Sequence, residues 1–284
     1  LYEKATFPQA HASTITELKN GDLIASYFGG TKERNPDVCI WVSRKPKGAD
    51  KWETPILAGD GVFQLGTTDA ELAGVDGKTK SASAGPIKSR KVALSGTLKR
   101  KACWNPVLFT MPDGEIWLFY KVGATVDDWT GWLVKSRDGG KTWTEREPLP
   151  KGFIGPVKNK PELINGRLIC GSSTEKDGWR FHVEILDMKT GKWKYVGIVD
   201  AEKVARTDDV VTARDMTNPI YKEGKGPEYI YSIQPSILKL KDGRLQVLMR
   251  THNAKLATSF SSDNGDTWSK ITLTDIPNNQ SGTD

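Results

Sequence analysis

A short apolar run, a turn containing Asn-Gly or Asp-Gly, and a second apolar run recur four times in the 284 residues, and no other feature restricts the fold as tightly. The four copies read ASTITELKNGDLIASYF (12–28), NPVLFTMPDGEIWLFYKV (105–122), PELINGRLICGSS (161–173) and PSILKLKDGRLQVLMR (235–250). Turns of this kind need φ > 0, which Gly and Asn tolerate, so each copy reads as a β-hairpin and not as a helix. With roughly 40 and 25 residues set aside as loop insertions, at about 58–100 and 200–226, the turn glycines Gly21, Gly114, Gly166 and Gly243 recur about every 50 residues, the period of a propeller blade.

Each hairpin is followed by a third strand and a characteristic turn. Ser136-Arg137-Asp138-Gly139-Gly140-Lys141-Thr142-Trp143 and Ser261-Ser262-Asp263-Asn264-Gly265-Asp266-Thr267-Trp268 agree at five of eight positions. In such a turn the Asp carboxylate accepts backbone N–H groups, Gly takes the positive φ, and the Trp packs beneath the hairpin. Degenerate copies lie at 43–52 and 187–193. These turns resemble the Asp-box, or BNR, repeats of sialidases. The segments Phe7-Pro8-Gln9-Ala10-His11, Trp104-Asn105-Pro106, Lys158-Asn159-Lys160-Pro161 and Gln234-Pro235-Ser236 resemble the predicted-neuraminidase branch of that superfamily. The resemblance implies an all-β fold, a sialidase-like β-propeller of four-stranded antiparallel blades forming one domain over residues 1–284. A ring of that kind has six blades. Four are visible, so the chain is expected to continue past Asp284 and supply the rest.

The formal charge of +6, from 41 Lys and Arg against 35 Asp and Glu, favours anionic partners without naming one. The basic stretch 78–101 holds no stacking aromatics, which argues for a solvated loop and against nucleic acid. No run of about 18 apolar residues occurs, so no membrane span is expected. Cys39, Cys103 and Cys170 lack metal-ligand spacing, and no Asp, Glu or His cluster or Gly-rich phosphate loop calls for a cofactor. The resemblance implies a secreted or periplasmic protein. Because the chain begins at Leu1, a leader is expected to have been removed or the chain trimmed.

In a propeller blade the first strand lines the central channel and the second returns antiparallel to it, so the start of the first and the end of the second share one face. Those positions hold His11, Trp104, Asn105, Tyr120, Lys121, Lys158, Asn159, Lys160, Ser172, Gln234, Arg250 and His252. Trp104 and Trp129 suit stacking on a sugar face; the amides and hydroxyls suit its hydroxyl groups; Lys121, Lys158, Lys160 and Arg250 suit a carboxylate. The bland reading is a polar, wet channel with no ligand. His11 is the candidate general acid or base, and Glu33 or Asp37, in the loop 29–37, the candidate acid. Pairing with Arg34 or capping by Asp37 are the structural alternatives, and His182 reads as structural.

In retaining sialidases, as the resemblance implies, an Asp from this loop is the acid/base, a Tyr assisted by a Glu is the nucleophile, and three Arg hold the sialate carboxylate. Here Phe7 to His11 contains no Arg and Gln234 stands where the helper Glu is expected. Arg250 occupies a triad position. Three readings follow. The first is an exo-acting, sialidase-like glycoside hydrolase on a terminal acidic sugar such as sialic acid, using His11, Glu33 or Asp37, and Arg250. The second is a polysaccharide lyase in which His11 or Tyr120 removes a proton from a uronate. The third is a non-catalytic glycan-binding propeller.

Overall fold

A computed structural model describes residues 7–64, 98–175, 178–197, 199–203 and 230–283. The chain forms two compact units, Leu1–Lys158 and Asn159–Asp284. Each contains two four-stranded antiparallel sheets, and among the described residues there is no α-helix.

In the first unit, β1 (Gln9–Glu17), β2 (Leu23–Gly30), β3 (Cys39–Lys45) and β4 (Ile56–Gly59) form one sheet in sequence order. β5 (Val62–Gln64) pairs with β6 (Leu98–Arg100), and β7 (Ala102–Thr110), β8 (Ile116–Gly123), β9 (Thr130–Ser136) and β10 (Glu147–Pro148) form the second sheet. In the other unit, β11 (Glu162–Ile164), β12 (Arg167–Thr174), β13 (Arg180–Asp187) and β14 (Trp193–Val196) make one sheet, and β15 (Ser232–Lys239), β16 (Leu245–Thr251), β17 (Lys255–Ser261) and β18 (Thr272–Pro277) the last. All four expected hairpins are present. Of the insertion at about 58–100, residues 65–97 lie outside the described residues, and its ends are strands rather than loop. Of the insertion at about 200–226, residues 204–226 lie outside them.

The hairpin turns are of two kinds. Asn165 and Gly166, both at positive φ, join β11 to β12 as a two-residue turn. The other three use a longer loop in which a Gly N–H closes a tight turn and the preceding Asx side chain accepts the N–H two residues on. Asn20 accepts from Asp22 at 3.1 Å, Asp113 from Glu115 at 3.0 Å and Asp242 from Arg244 at 3.0 Å. The same local chemistry therefore recurs in three blades.

In each unit the core lies between the two sheets. Ile24, Phe28, Ile40 and Val42 of the first sheet meet Leu108, Ile116, Leu118, Tyr120 and Trp132 of the second. In the other unit Ile169, Phe181, Val183 and Ile185 meet Ile237, Val247, Met249 and Ala257. Burying each such side chain contributes about 1.5–3 kcal/mol, which is why the sheets pair face to face. Cys39, Cys103 and Cys170 are buried and form no disulfide among the described residues, and burial pushes the Cys39 thiol up to about 11.

The Asp-box turns link neighbouring sheets. Asp138 accepts from Ser136 Oγ at 2.8 Å, from the Lys141 and Thr142 N–H groups at 3.0 and 2.9 Å, and from Thr142 Oγ1 at 2.6 Å. Asp263 repeats the arrangement with Ser261 and Thr267. In the first unit the turn docks on the preceding sheet through Arg44 Nε, which donates to the Gly139 carbonyl at 2.6 Å. In the second, Asp266 receives Arg167 at 2.6 and 2.9 Å and Lys194 at 2.6 Å. Gly265, at φ 88°, brings its backbone against Ile169, where a Cβ would sit only 3.1 Å from the Ile side chain. Trp143 is buried, and Trp268 meets Phe181 edge-on at 5.5 Å.

Burial works against the charge of Asp138 and Asp263, but the hydrogen bonds outweigh it and hold both carboxyls below the usual carboxylate value. A carboxyl lowered on folding contributes stability above its unfolded value of 3.8, and that stability is lost as pH falls through the folded value. The melting temperature is therefore expected to be nearly flat above about pH 5 and to fall below about pH 4, as read by a circular-dichroism melt at each pH. Asp138→Ala, which removes several of these bonds at a partly wet turn, is expected to lower stability by about 1–2 kcal/mol in denaturant titration.

Candidate functional site

Three of the four inner strands carry the same irregularity. β1, β7 and β15 each contain a bulge, with Ala12, Asn105 and Gln234 in the left-handed region at φ 51°, 33° and 55°. Bulges of this kind re-aim side chains, and left-handed non-glycine residues concentrate at functional sites. The residues just before the bulges pair across the hairpin with Phe28, Lys121 and Arg250. Lys121 and Arg250 are thus equivalent positions in the second and fourth blades, yet their surroundings differ.

Lys121 is fully buried, and its ammonium donates to the carbonyls of Asn105 at 3.2 Å, Val157 at 3.1 Å and Pro156. Its task is to bind the 156–157 segment to the second blade. A sugar carboxylate does not reach it. Tyr120 is equally buried, and burial pushes its hydroxyl well above its ordinary value, so it belongs to the core and not to a proton-transfer site. Trp104 is 2% exposed, with its indole N–H donating to the Gly123 carbonyl at 2.9 Å. Half-buried Trp129 lies 5.5 Å from Trp104, which lies 6.1 Å from Phe28. His11 completes the series, exposed and stacked on Phe28 at 5.6 Å. The tryptophans therefore support His11 from beneath.

The loop after β2 is closed by Asp37, which accepts the Thr31 hydroxyl at 2.5 Å and the Thr31 N–H at 2.8 Å. The Thr31 bonds hold the Asp37 carboxyl below its ordinary range, the opposite of what a general acid needs near neutral pH. Glu33, two residues beyond Thr31, is exposed, and its N–H donates to Gln9 Oε1 at 3.3 Å, tying the loop to β1. Half-buried Lys158 closes this unit.

In the second unit Arg250 emerges at the end of β16 with its guanidinium 4.6 Å from the Trp179 ring centre. His252 stacks on the same indole at 3.6 Å. Asn159 Nδ2 donates to the Gln234 carbonyl at 3.1 Å and to Ser236 Oγ at 2.8 Å, and the Gln234 N–H donates to Ser173 Oγ at 3.3 Å, so the β15 bulge is held from both sides. Gln234 is half-buried and Lys160 exposed. Ser172 is fully buried, its hydroxyl without a partner among the described residues. His182 is buried 3.0 Å from Glu184, in keeping with a structural role. Among the described residues no group of three or more His, Cys, Asp or Glu could hold a metal ion.

Trp179 lies at neither a first-strand start nor a second-strand end, the positions that the sequence singles out. It sits where the chain enters the third strand, on the same rim as the end of the second, and that third position in each repeat is the signal that would have found it.

Paired four-stranded antiparallel blades closed by Asp-box turns define a sialidase-like β-propeller. The chain belongs to the BNR repeat-like domain family, whose sequence profile matches residues 83–284. No curated protein matches it in sequence. Among solved structures it is similar to a protein of unknown function from Dyadobacter fermentans (15% identity, 94% of this chain and 70% of that one, TM-score 0.59). It is also similar to the NanB sialidase of Streptococcus pneumoniae (14% identity, 97% and 53%, TM-score 0.60). A third is the α-L-arabinofuranosidase Arb93a of Fusarium graminearum (14%, 94% and 66%, TM-score 0.55). The chain thus spans about half the length of the sialidase chain.

Lys121→Met leaves three buried carbonyls without their donor and is expected to lower the melting temperature by several degrees, as read by differential scanning calorimetry.

Proposed function

We propose that this protein is a sialidase-like, exo-acting glycoside hydrolase on glycans that end in an acidic sugar such as sialic acid. The observation that carries the reading is the Arg250–Trp179–His252 cluster at the end of β16, where a guanidinium lies 4.6 Å from the centre of an indole ring. A guanidinium beside an aromatic ring at a strand end suits capture of a carboxylate. Proton transfer is assigned to His11, whose exposed ring is oriented by Phe28, and to Glu33, whose loop is tied to β1. Of the two loop carboxylates, Glu33 is favoured because Asp37 is committed to Thr31. The BNR family and the glycosidases among the structural neighbours support the class.

A binding-only propeller is the second reading, favoured by Gln234 at the bulge where a helper carboxylate would assist a tyrosine. The lyase reading rests on His11 alone, because Tyr120 is buried. Among the described residues no helix is long and apolar enough to cross a membrane. A secreted or periplasmic location is proposed with the glycan substrate.

Mass spectrometry of sugars released from sialylated and uronate-bearing glycans separates the readings, because hydrolysis and elimination products differ by one water. The hydrolase reading predicts a released intact acidic sugar and a loss of at least about a hundredfold in kcat/KM for His11→Ala and Arg250→Ala. An unsaturated product would establish the lyase instead. Binding without any product would establish the glycan-binding module.

A further inference from the structure

The entries to β13 and β15 border a cleft of about 280 Å³ within the second unit, lined by Trp179, Arg180, Asp200 and Ser232 among others. The Ser232 N–H donates to the Trp179 carbonyl at 3.2 Å, fixing the two strand entries to each other. On the far side, Asp200 is held by its carbonyl, which accepts the Ile271 N–H at 2.7 Å. The cleft is small beside ligand sites of roughly 300–1,000 Å³, so it suits a single sugar ring.

Arg180 distinguishes this cleft. Its guanidinium lies over the Tyr231 ring at 4.3 Å, and among the described residues it has no ion pair or hydrogen bond. Arg44, Arg146 and Arg167, by contrast, each pair with a carboxylate. A half-buried guanidinium supported by an aromatic ring, with its donors uncommitted, is complementary to a planar anion. Asp200, exposed on the same cleft, is likewise without an ion pair among the described residues, and its carboxylate suits the hydroxyl groups of a sugar. Trp179 joins the cleft to the stack described above, since the same residue lines the cleft and packs against Arg250 and His252.

We propose that this cleft is a second carboxylate-binding subsite, so that the protein recognises glycans with acidic groups on successive sugar units, one at Arg250 and the next at Arg180. The inference rests on the reading that Arg250 holds an acidic sugar. Arg250 packs on Trp179 and Arg180 follows it in the chain, lining the same cleft, and a substrate with a single acidic unit leaves Arg180 without its anion.

Isothermal titration calorimetry tests this with two pairs of probes, galacturonate with digalacturonate and N-acetylneuraminate with its α2,8-linked dimer. One member of each acidic pair is expected to bind about tenfold more tightly, the dimer, as one added charge-assisted contact provides. Arg180→Gln is expected to remove that advantage while leaving monomer affinity within about twofold, and Arg180→Lys to retain part of it. Arg250→Ala is expected to weaken monomer and dimer alike. Monomer binding with a dimer advantage that survives Arg180→Gln, or no dimer advantage in the wild type, overturns the second subsite and leaves the first intact. Absence of binding by all four probes overturns both.

Discussion

A four-stranded sheet cannot bury its own apolar side chains, and the rest of this structure depends on two such sheets packing face to face. In each unit the residues alternating inward along the second and third strands meet those of the neighbouring blade, as Ile24, Phe28 and Ile40 do with Leu118 and Tyr120. Sheet-on-sheet packing alone leaves the sheets able to slide, and the Asp-box turns fix them. Arg44 on the Gly139 carbonyl in one unit and Arg167 on Asp266 in the other hold the turn of one blade against the sheet before it. The third-to-fourth-strand corner is thereby held in place, and the candidate site residues lie at the opposite ends of the strands.

Those ends are where the bulges occur. At Ala12, Asn105 and Gln234 the inner strand departs from regular pairing, and the departure is supported from outside, by Lys121 on the Asn105 carbonyl and by Asn159 on the Gln234 carbonyl. The same cationic position thus has two fates. In the second blade the cation is drawn inward by the carbonyls of 156 and 157, and in the fourth it lies on an indole at the rim. Carboxylate binding is proposed at the cation of the fourth blade, beside an indole, and not at the fully buried cation of the second.

Hairpins and Asp boxes were legible in the sequence because their causes are local: an Asx side chain accepting a nearby N–H and a glycine at positive φ belong to a few consecutive residues. The fates of Tyr120, Lys121 and Trp104 were not legible, since a polar group at a strand end reads alike whether another segment covers it or not. Lys121 is buried by a segment 35 residues away. Asp37 looked like a catalytic acid from its loop, and only the Thr31 hydroxyl shows that its carboxyl is committed. Trp179 and Arg180 escaped notice because their partners, Arg250, His252 and Tyr231, come from a different sheet and the approach to it. Local chemistry revealed the fold and the position of Arg250 at a strand end, and long-range packing decided which side chains surround it.

The proposed function depends on a charge-assisted contact between Arg250 and a sugar carboxylate. Calorimetric titration with N-acetylneuraminate and with its methyl ester measures that contact directly. The acid is expected to bind at least about tenfold more tightly than the ester, as loss of a charge-assisted pair requires. Equal affinity for acid and ester would contradict it.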